Sequence, residues 1–398
     1  MFRQSLACLL LLLPAALFAR DINLDELYFR KDSLRAQRLA IQKLDAYQSV
    51  QAHLVDSNVI FAGWLSGPEL FYIQEVPGLA GNILFQYNAY RQRRAERTRI
   101  PGIITAVRTS PDGSFLALKR LIRKEDVVPS GETVIYSFRT GKTSILPTAT
   151  GFLDFDIPSG EPAIVYEAPA GITEYHPDTG RTRLLIEKRR YADIAVPGGT
   201  TMALLSPDRR NTLVLCGGGG SYAARLYGGR TSFPIPGISS ASETFWVDAH
   251  TIAFRSGAPG SYSVRLYDVR NKTVVTLLSS SLNTSLSYSP HAATLSFLND
   301  QVICLYAVHD GKTLITGIEG EDVSLSASGS RFISLFNRRL FIVNIELMKK
   351  NEILLRRSWA SLLASYRELS LDRRYWENEY SLDYIRRKIR LYSSLIDG

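Results

Sequence analysis

The stretch Ser110-Pro111-Asp112-Gly113-Ser114-Phe115-Leu116-Ala117-Leu118 constrains this chain more than any other, because it recurs. Alone it reads as a tight turn feeding a strand. Proline pre-sets φ, aspartate bonds the nearby backbone, and glycine supplies a positive φ. The apolar, β-rich run that follows pairs back on the strand before it. Six further units align with it between Asn58 and Glu346. Their turns are Leu65-Ser66-Gly67-Pro68, Ile157-Pro158-Ser159-Gly160, Ser206-Pro207-Asp208, Val247-Asp248-Ala249, Ser289-Pro290-His291 and Ser326-Ala327-Ser328-Gly329.

A second marker follows each turn. An aromatic closes a later strand, in the series Tyr87, Tyr136, Tyr175, Tyr227, Tyr267, Tyr306 and Phe341. Several of these precede another turn, such as Thr140-Gly141-Lys142-Thr143, Thr179-Gly180-Arg181-Thr182 or Asp310-Gly311-Lys312-Thr313. Each unit therefore carries four strands, A to D, with turns between A and B and between C and D. The units lie roughly 35 to 52 residues apart, close to the propeller blade length of about 40–50. The predicted fold class is all-β: a seven-bladed β-propeller with flanking N-terminal and C-terminal α-helices. A β-sandwich would not need the same two markers seven times.

The last unit is short. After Phe341-Ile342-Val343 no fourth strand is evident, and an open blade edge invites wrong pairing. Gln51–Val55, just ahead of the first unit, is expected to pair within Ser324–Val343 and close the ring.

Four regions follow. Residues 1–19 read as a signal peptide: Arg3 gives a positive start, Leu6 to Phe18 is apolar, and Ala15, Ala16 and Ala19 surround a cleavage point. That run is too short for a membrane-spanning helix, which needs about 20 residues. Cys8 precedes most of the apolar run, which argues against lipidation there. Residues 20–57 hold an amphipathic helix with Leu24, Leu27, Tyr28, Leu34, Ile41 and Leu44 on its apolar face, ending near Tyr47. The propeller occupies 58–346. Residues 347–398 form two amphipathic helices, the first striped by Leu355, Trp359, Leu362, Tyr366 and Leu369, the second by Ile385, Ile389, Tyr392 and Ile396, with Ser370 as an N-cap between them.

The turn Ser110–Gly113 followed by Phe115-Leu116-Ala117 resembles the repeat signature of WD40-like propellers of bacterial periplasmic proteins, the TolB-like type. Ser206–Leu215 and Ser289–Phe297 match it partly, the other units by spacing. The resemblance is to the repeat and not to TolB proper, which has a separate α/β domain before its propeller. It implies a protein-binding scaffold in the periplasm and transfers no functional residue beyond the turn.

Charge adds a hint. Lys and Arg number 47 against 38 Asp and Glu, a net charge of +9. Such a balance favours acidic partners or an anionic surface. Arg91, Arg93, Arg94, Arg97 and Arg99 crowd the first C–D turn beside Tyr87 and Tyr90, as either a solvated hairpin or a partner-binding patch. Export argues against nucleic acid as their partner. Lys119, Arg120, Arg123 and Lys124 read as a B–C connection. With Lys188, Arg189 and Arg190 they are expected to form a second patch on the opposite face.

Other chemistry is sparse. Asp154 and Asp156 lie two apart on an innermost strand, so alternation puts both carboxylates on one face. They are candidate channel carboxylates for cation binding or acid–base work; the plainer reading is a pair satisfied by backbone and arginine. His53, His176, His250, His291 and His309 show no ligand spacing, so no metal site is expected. No Gly-x-Ser-x-Gly elbow is present. Cys216-Gly217-Gly218-Gly219-Gly220-Ser221 lacks the ending of a phosphate loop and reads as a flexible B–C loop. Cys216 and Cys304 fall in blades that are not neighbours, which predicts two buried free thiols. Trp359, Tyr366, Trp376 and Tyr380 are expected to pack internally.

The reading that follows is an exported, non-enzymatic propeller scaffold that binds another envelope protein, without catalytic residues or cofactors. One alternative is a propeller enzyme acting on a small molecule or glycan in the central channel. Another is a basic protein bound to anionic lipid or an envelope polymer. Convergent acidic and histidine groups in the channel would favour the enzyme.

Overall fold

A computed structural model describes residues 33–76, 81–122, 130–146, 155–158, 163–196, 199–218, 221–229, 231–258, 260–280, 284–372 and 379–397. The signal sequence expected over 1–19 lies outside them. The architecture is the predicted seven-bladed β-propeller, with seven four-stranded sheets. Helix α1 (Ser33–Ser49) and strand β1 (His53–Asp56) come first. Blade 1 is β2–β5 (Val59–Trp64, Glu69–Glu75, Gly81–Asn88, Arg93–Pro101). Blade 2 is β6–β9 (Ile103–Thr109, Phe115–Ile122, Ser130–Ser137, Thr143–Ile145). Blade 3 is β10–β13 (Phe155–Asp156, Ile164–Ala168, Gly171–His176, Arg181–Glu187) and blade 4 is β14–β17 (Thr200–Leu205, Asn211–Gly218, Ser221–Gly228, Thr231–Ile235). Blade 5 is β18–β21 (Thr244–Trp246, Thr251–Ser256, Tyr262–Asp268, Thr273–Ser280) and blade 6 is β22–β25 (Ser287–Ser289, Thr294–Asn299, Val302–Ala307, Lys312–Glu319). Blade 7 supplies only β26–β28 (Asp322–Leu325, Arg331–Phe336, Arg339–Asn344). Helices α2 (Ile345–Lys350), α3 (Glu352–Leu371) and α4 (Glu379–Asp397) end the chain. Among the described residues no helix is long and apolar enough to cross a membrane.

The missing strand of blade 7 is β1. It runs antiparallel to β28, with His53 opposite Ile342, Leu54 opposite Phe341 and Asp56 opposite Leu340. The sheet order β1-β28-β27-β26 thus joins the start of the chain to its seventh repeat.

The recurring turn has a common hydrogen-bond grammar. The Ser110 hydroxyl accepts the Phe115 N–H at 2.9 Å, Ser110 C=O accepts the Gly113 N–H, and Asp112 accepts the Ser114 N–H. Ser206 and Ser326 repeat both serine contacts, with the N–H of Asn211 and Arg331 and with that of Arg209 and Gly329. The third bonded residue has positive φ in all three: 71° at Gly113, 60° at Arg209 and 68° at Gly329. Burial works to raise the Asp112 carboxyl, but bonds from Ser110 and Ser114 outweigh it and hold that acid below its usual range. Asp112 shapes a turn.

Contacts group the chain into two compact units. One takes in Gly63–Gly257 and Arg265–Val275. Its cores form where blades face one another: Met202, Leu204, Leu213 and Leu215 of blade 4 pack on Trp246, Ile252 and Phe254 of blade 5. The other takes in Asp21–Ala62, Ala258–Val264 and Thr276–Gly398. Its core joins α1, blades 6 and 7 and the C-terminal helices, through Tyr47, Phe332, Phe341, Leu355, Trp359 and Tyr366. Trp359 and Tyr366 therefore pack internally; Trp376 and the side chain of Tyr380 lie outside the described residues. Cys216 and Cys304 are buried and free. Burial raises both thiols, Cys304 to about 12.

Several local expectations are corrected. Ile41 is 60% exposed, while Lys43 is 2% exposed. The inward face of α1 is Leu39, Lys43, Ala46 and Tyr47, because a buried carboxylate, Glu319, receives the lysine. Ser370 lies within α3 and its hydroxyl donates to Arg367 C=O, so it is no N-cap. Cys216–Gly218 is strand, not loop: β15 pairs with β16 as far as Gly218 opposite Ser221.

Candidate functional site

Two places carry the candidate chemistry, both in the unit that contains blades 2 to 4. The first lies on innermost strands. Asp156 ends β10 and is half-buried; Asp154 is outside the described residues. The Asp156 carboxylate accepts the backbone N–H groups of Ile157 and Leu205. Burial pushes this carboxyl up to about 6, against the opposing pull of the Arg108 charge and the two backbone bonds. Arg108 projects from β6. Its guanidinium donates to the Ser242 C=O at 2.8 Å and lies 5.0 Å from the Phe245 ring centroid. Blade 2 is thereby tied to blade 5. Glu243, just before β18, forms a 2.5 Å ion pair with Arg255 of β19, both largely buried.

Arg108 is thus held by a carbonyl and an aromatic ring, while Glu243 and Arg255 pair with each other. The Asp156 carboxyl, raised to about 6, has a proton affinity suited to acid–base exchange near neutral pH. No described histidine sits on an innermost strand: His53 is on β1, His176 ends β12, and His250, His291 and His309 are in turns. Among the described residues no group of three His, Cys, Asp or Glu could hold a metal ion. Arg108, Phe245, Glu243 and Arg255 were not legible as a group in the sequence, because each is ordinary in its own repeat and only the blade arrangement brings them together.

The second place is the outer edge of blade 1. Of the predicted basic cluster, only Arg91 is in the C–D turn. Arg93, Arg94, Arg97 and Arg99 run along β5, the outermost strand, and all are exposed. Leu84 pairs with Thr98 and Phe85 with Glu96, so Arg97 is an extra, bulged residue. The bulge resets the side-chain alternation partway along the strand. Arg97 donates to the neutral Gln86 at 2.7 Å, and Arg94 lies 5.3 Å from the Phe85 ring centroid. Glu96, the acidic residue of the strand, pairs with Arg99 at 3.3 Å. Five exposed arginines thus crowd this edge, with Glu96 as the acidic residue of β5.

The described members of the second basic patch are buried or have partners. Lys119 and Arg120 belong to β7 and not to a loop, and Arg123 and Lys124 lie outside the described residues. Lys119 is buried, and Arg120 pairs with Glu132 at 2.9 Å. Lys188–Arg190 form a short 3-10 turn. There Lys188 faces Glu167 at 3.4 Å, Arg189 pairs with Glu187, and Arg190 donates to Gly229 C=O above the Tyr227 ring.

No protein-family model matches the chain, and no curated protein matches it. Solved structures do. The β-propeller domain of the Trilobed protease from Pyrococcus furiosus is similar at 11% identity and TM-score 0.48, over 72% of this chain and 95% of that one. Oligogalacturonate lyase from Vibrio parahaemolyticus is similar at 9% identity and TM-score 0.48, over 74% and 92%. TolB from Acinetobacter baumannii is similar at 16% identity and TM-score 0.42, over 70% and 64%. These likenesses bear on the propeller fold alone, and they include enzymes.

Proposed function

We propose that the chain is an exported, non-catalytic propeller scaffold that binds another cell-envelope protein through the arginine-bearing edge of blade 1. One observation carries this reading: β5 sets four exposed arginines along an outer edge with Glu96 as the acidic residue of the same strand, while Glu243 and Arg255 beside the inner strands pair with each other. Arginine forks suit carboxylates, with two parallel N–H donors per side chain. An acidic partner would be steered to this edge, and such attraction weakens with salt. A photo-crosslinking residue at Ala95, between the arginines, tests it in the native envelope. A discrete protein adduct is expected. Recovery of lipid or glycan alone contradicts the reading and supports the anionic-surface alternative.

One observation favours a second reading. A carboxyl poised near pH 6 beside an arginine is the kind of group an enzyme uses, here on a small molecule or glycan. It predicts a turnover that Asp156→Asn abolishes. The scaffold reading predicts that this variant crosslinks from Ala95 like the parent chain.

A further inference from the structure

In the unit that holds blades 6 and 7, one buried carboxylate gathers both ends of the chain. Glu319, the last residue of β25, is 1% exposed. Lys43 of α1 reaches its Oε2 at 2.8 Å, and Lys388 of α4 reaches Oε1 at 2.9 Å. Tyr366 of α3 and Tyr392 of α4 donate their hydroxyls to Oε1 at 3.1 and 2.7 Å. Tyr47 of α1 donates to the Glu319 C=O at 2.7 Å and contacts the Ser334 hydroxyl of β27. Gln301, between β23 and β24, accepts from Lys43 and from Tyr384 of α4. Two lysines thus converge on this one carboxylate. Lys388 also lies over the rings of Tyr366 and Tyr384, whose faces attract a cation.

The strand that completes blade 7 is weak by itself. β1 has four residues, its ladder is broken between Leu54 and Asp56, and none of its residues is fully buried. So short an edge strand gains little from its own ladder. It is joined to α1 by three residues, and Ala52 N–H bonds Tyr47 C=O, so the position of α1 fixes β1. Helix α1 in turn leans on α3 and its C-cap: Arg35 pairs with the C-cap Asp372 at 2.6 Å, Ser49 meets Ser358 at 2.8 Å, and Gln42 bonds Ser361 and Ser365. We infer that Glu319 is the fastener of the seventh blade: closure by β1 is conditional on the C-terminal helices, through the shared carboxylate that holds α1, α3 and α4 together. The C-terminal helices are then part of the closing device, and their release would expose the edge of β28 for pairing with another strand.

Hydrogen exchange read by mass spectrometry on the full chain tests this. In Glu319→Gln, amides of His53–Asp56 and Arg339–Asn344 should exchange about tenfold faster or more, while those of blades 2 to 4 stay at parental rates. A staple separates fastening from local damage. The Ser49 and Ser358 hydroxyls touch, so Ser49→Cys with Ser358→Cys can lock α1 to α3 when oxidised. Adding that staple to Glu319→Gln should return β1 to its parental rate. The inference is overturned if Glu319→Gln leaves β1 exchange unchanged, if all blades accelerate equally, or if the oxidised staple fails to restore β1. Should Glu319→Gln not fold, Lys388→Met with and without the staple is read in the same way.

Discussion

Two glycines show how much one residue's setting decides. Gly113 and Gly141 both have φ near +70°. A Cβ at Gly141 would meet open space, whereas one at Gly113 would sit 2.7 Å from the Leu65 carbonyl carbon. Gly141→Ala is expected to cost about 1 kcal/mol, the ordinary penalty for a left-handed alanine. Gly113→Ala should cost about 3 kcal/mol or more, since backbone cannot step aside. Urea midpoints of the two variants check the ranking. Asp156 gives a pH signature. Its carboxyl rests at about 6 when folded, above its ordinary value of 3.8, so the folded chain holds the proton more tightly. Its contribution is present in full below about pH 4 and is lost as pH rises through 6. Asp156→Asn should match the parent chain at pH 4 and exceed it at pH 8 by about 2 kcal/mol, the side chain being only half-buried. Equal stability at both pH values would show that Asp156 is not held up by burial. At this scale the turn residues were legible, because a Ser-x-Asp-Gly turn is a local contract between neighbours. The proton affinity of Asp156 was not, because Leu205 and Arg108 come from other blades.

At the scale of elements, the sequence pattern located strands well and their surroundings less well. The aromatic of each C strand was visible by spacing; Tyr87, Tyr136, Tyr175, Tyr227, Tyr267 and Phe341 are buried and Tyr306 is half-buried, and Phe341 sits within β28 and not at its end. The basic cluster was visible too, but not that it follows an edge strand with a bulge at Arg97. Helix α1 misled because hydrophobic spacing put Ile41 inside, while a distant glutamate drew Lys43 in instead. That cluster also orders the outcome of substitutions. Removing one member of a buried charged group typically costs about 3–5 kcal/mol. Glu319→Gln removes the carboxylate charge that both lysines meet, whereas Lys388→Met keeps that charge and its contact with Lys43. The glutamine variant should therefore be the less stable, by about 2 kcal/mol, in denaturant unfolding followed at Trp359. The reverse order would mean that the lysine stem, and not the charge, supports the helices.

For the whole molecule, the missing strand was the most informative absence in the sequence. Seven turns and only three strands in the last unit required a donor from elsewhere, and β1 supplies it. What the repeat could not reveal was the helical core that holds this donor, since its partners lie at opposite ends of the chain. The proposed binding edge rests on where the exposed charge is placed. Arg108 ties blade 2 to blade 5, Glu243 and Arg255 pair within blade 5, and the described members of the second predicted basic patch are buried or have partners, whereas the arginines of blade 1 line an exposed edge. The direct test is the yield of the protein adduct from a photo-crosslinker at Ala95, compared between the parent edge and Arg93→Glu/Arg97→Glu/Arg99→Glu. A binding edge predicts at least a tenfold loss on charge reversal, roughly 1.4 kcal/mol or more, and a steady decline with added salt. An adduct that survives both, or that never forms, would contradict the account.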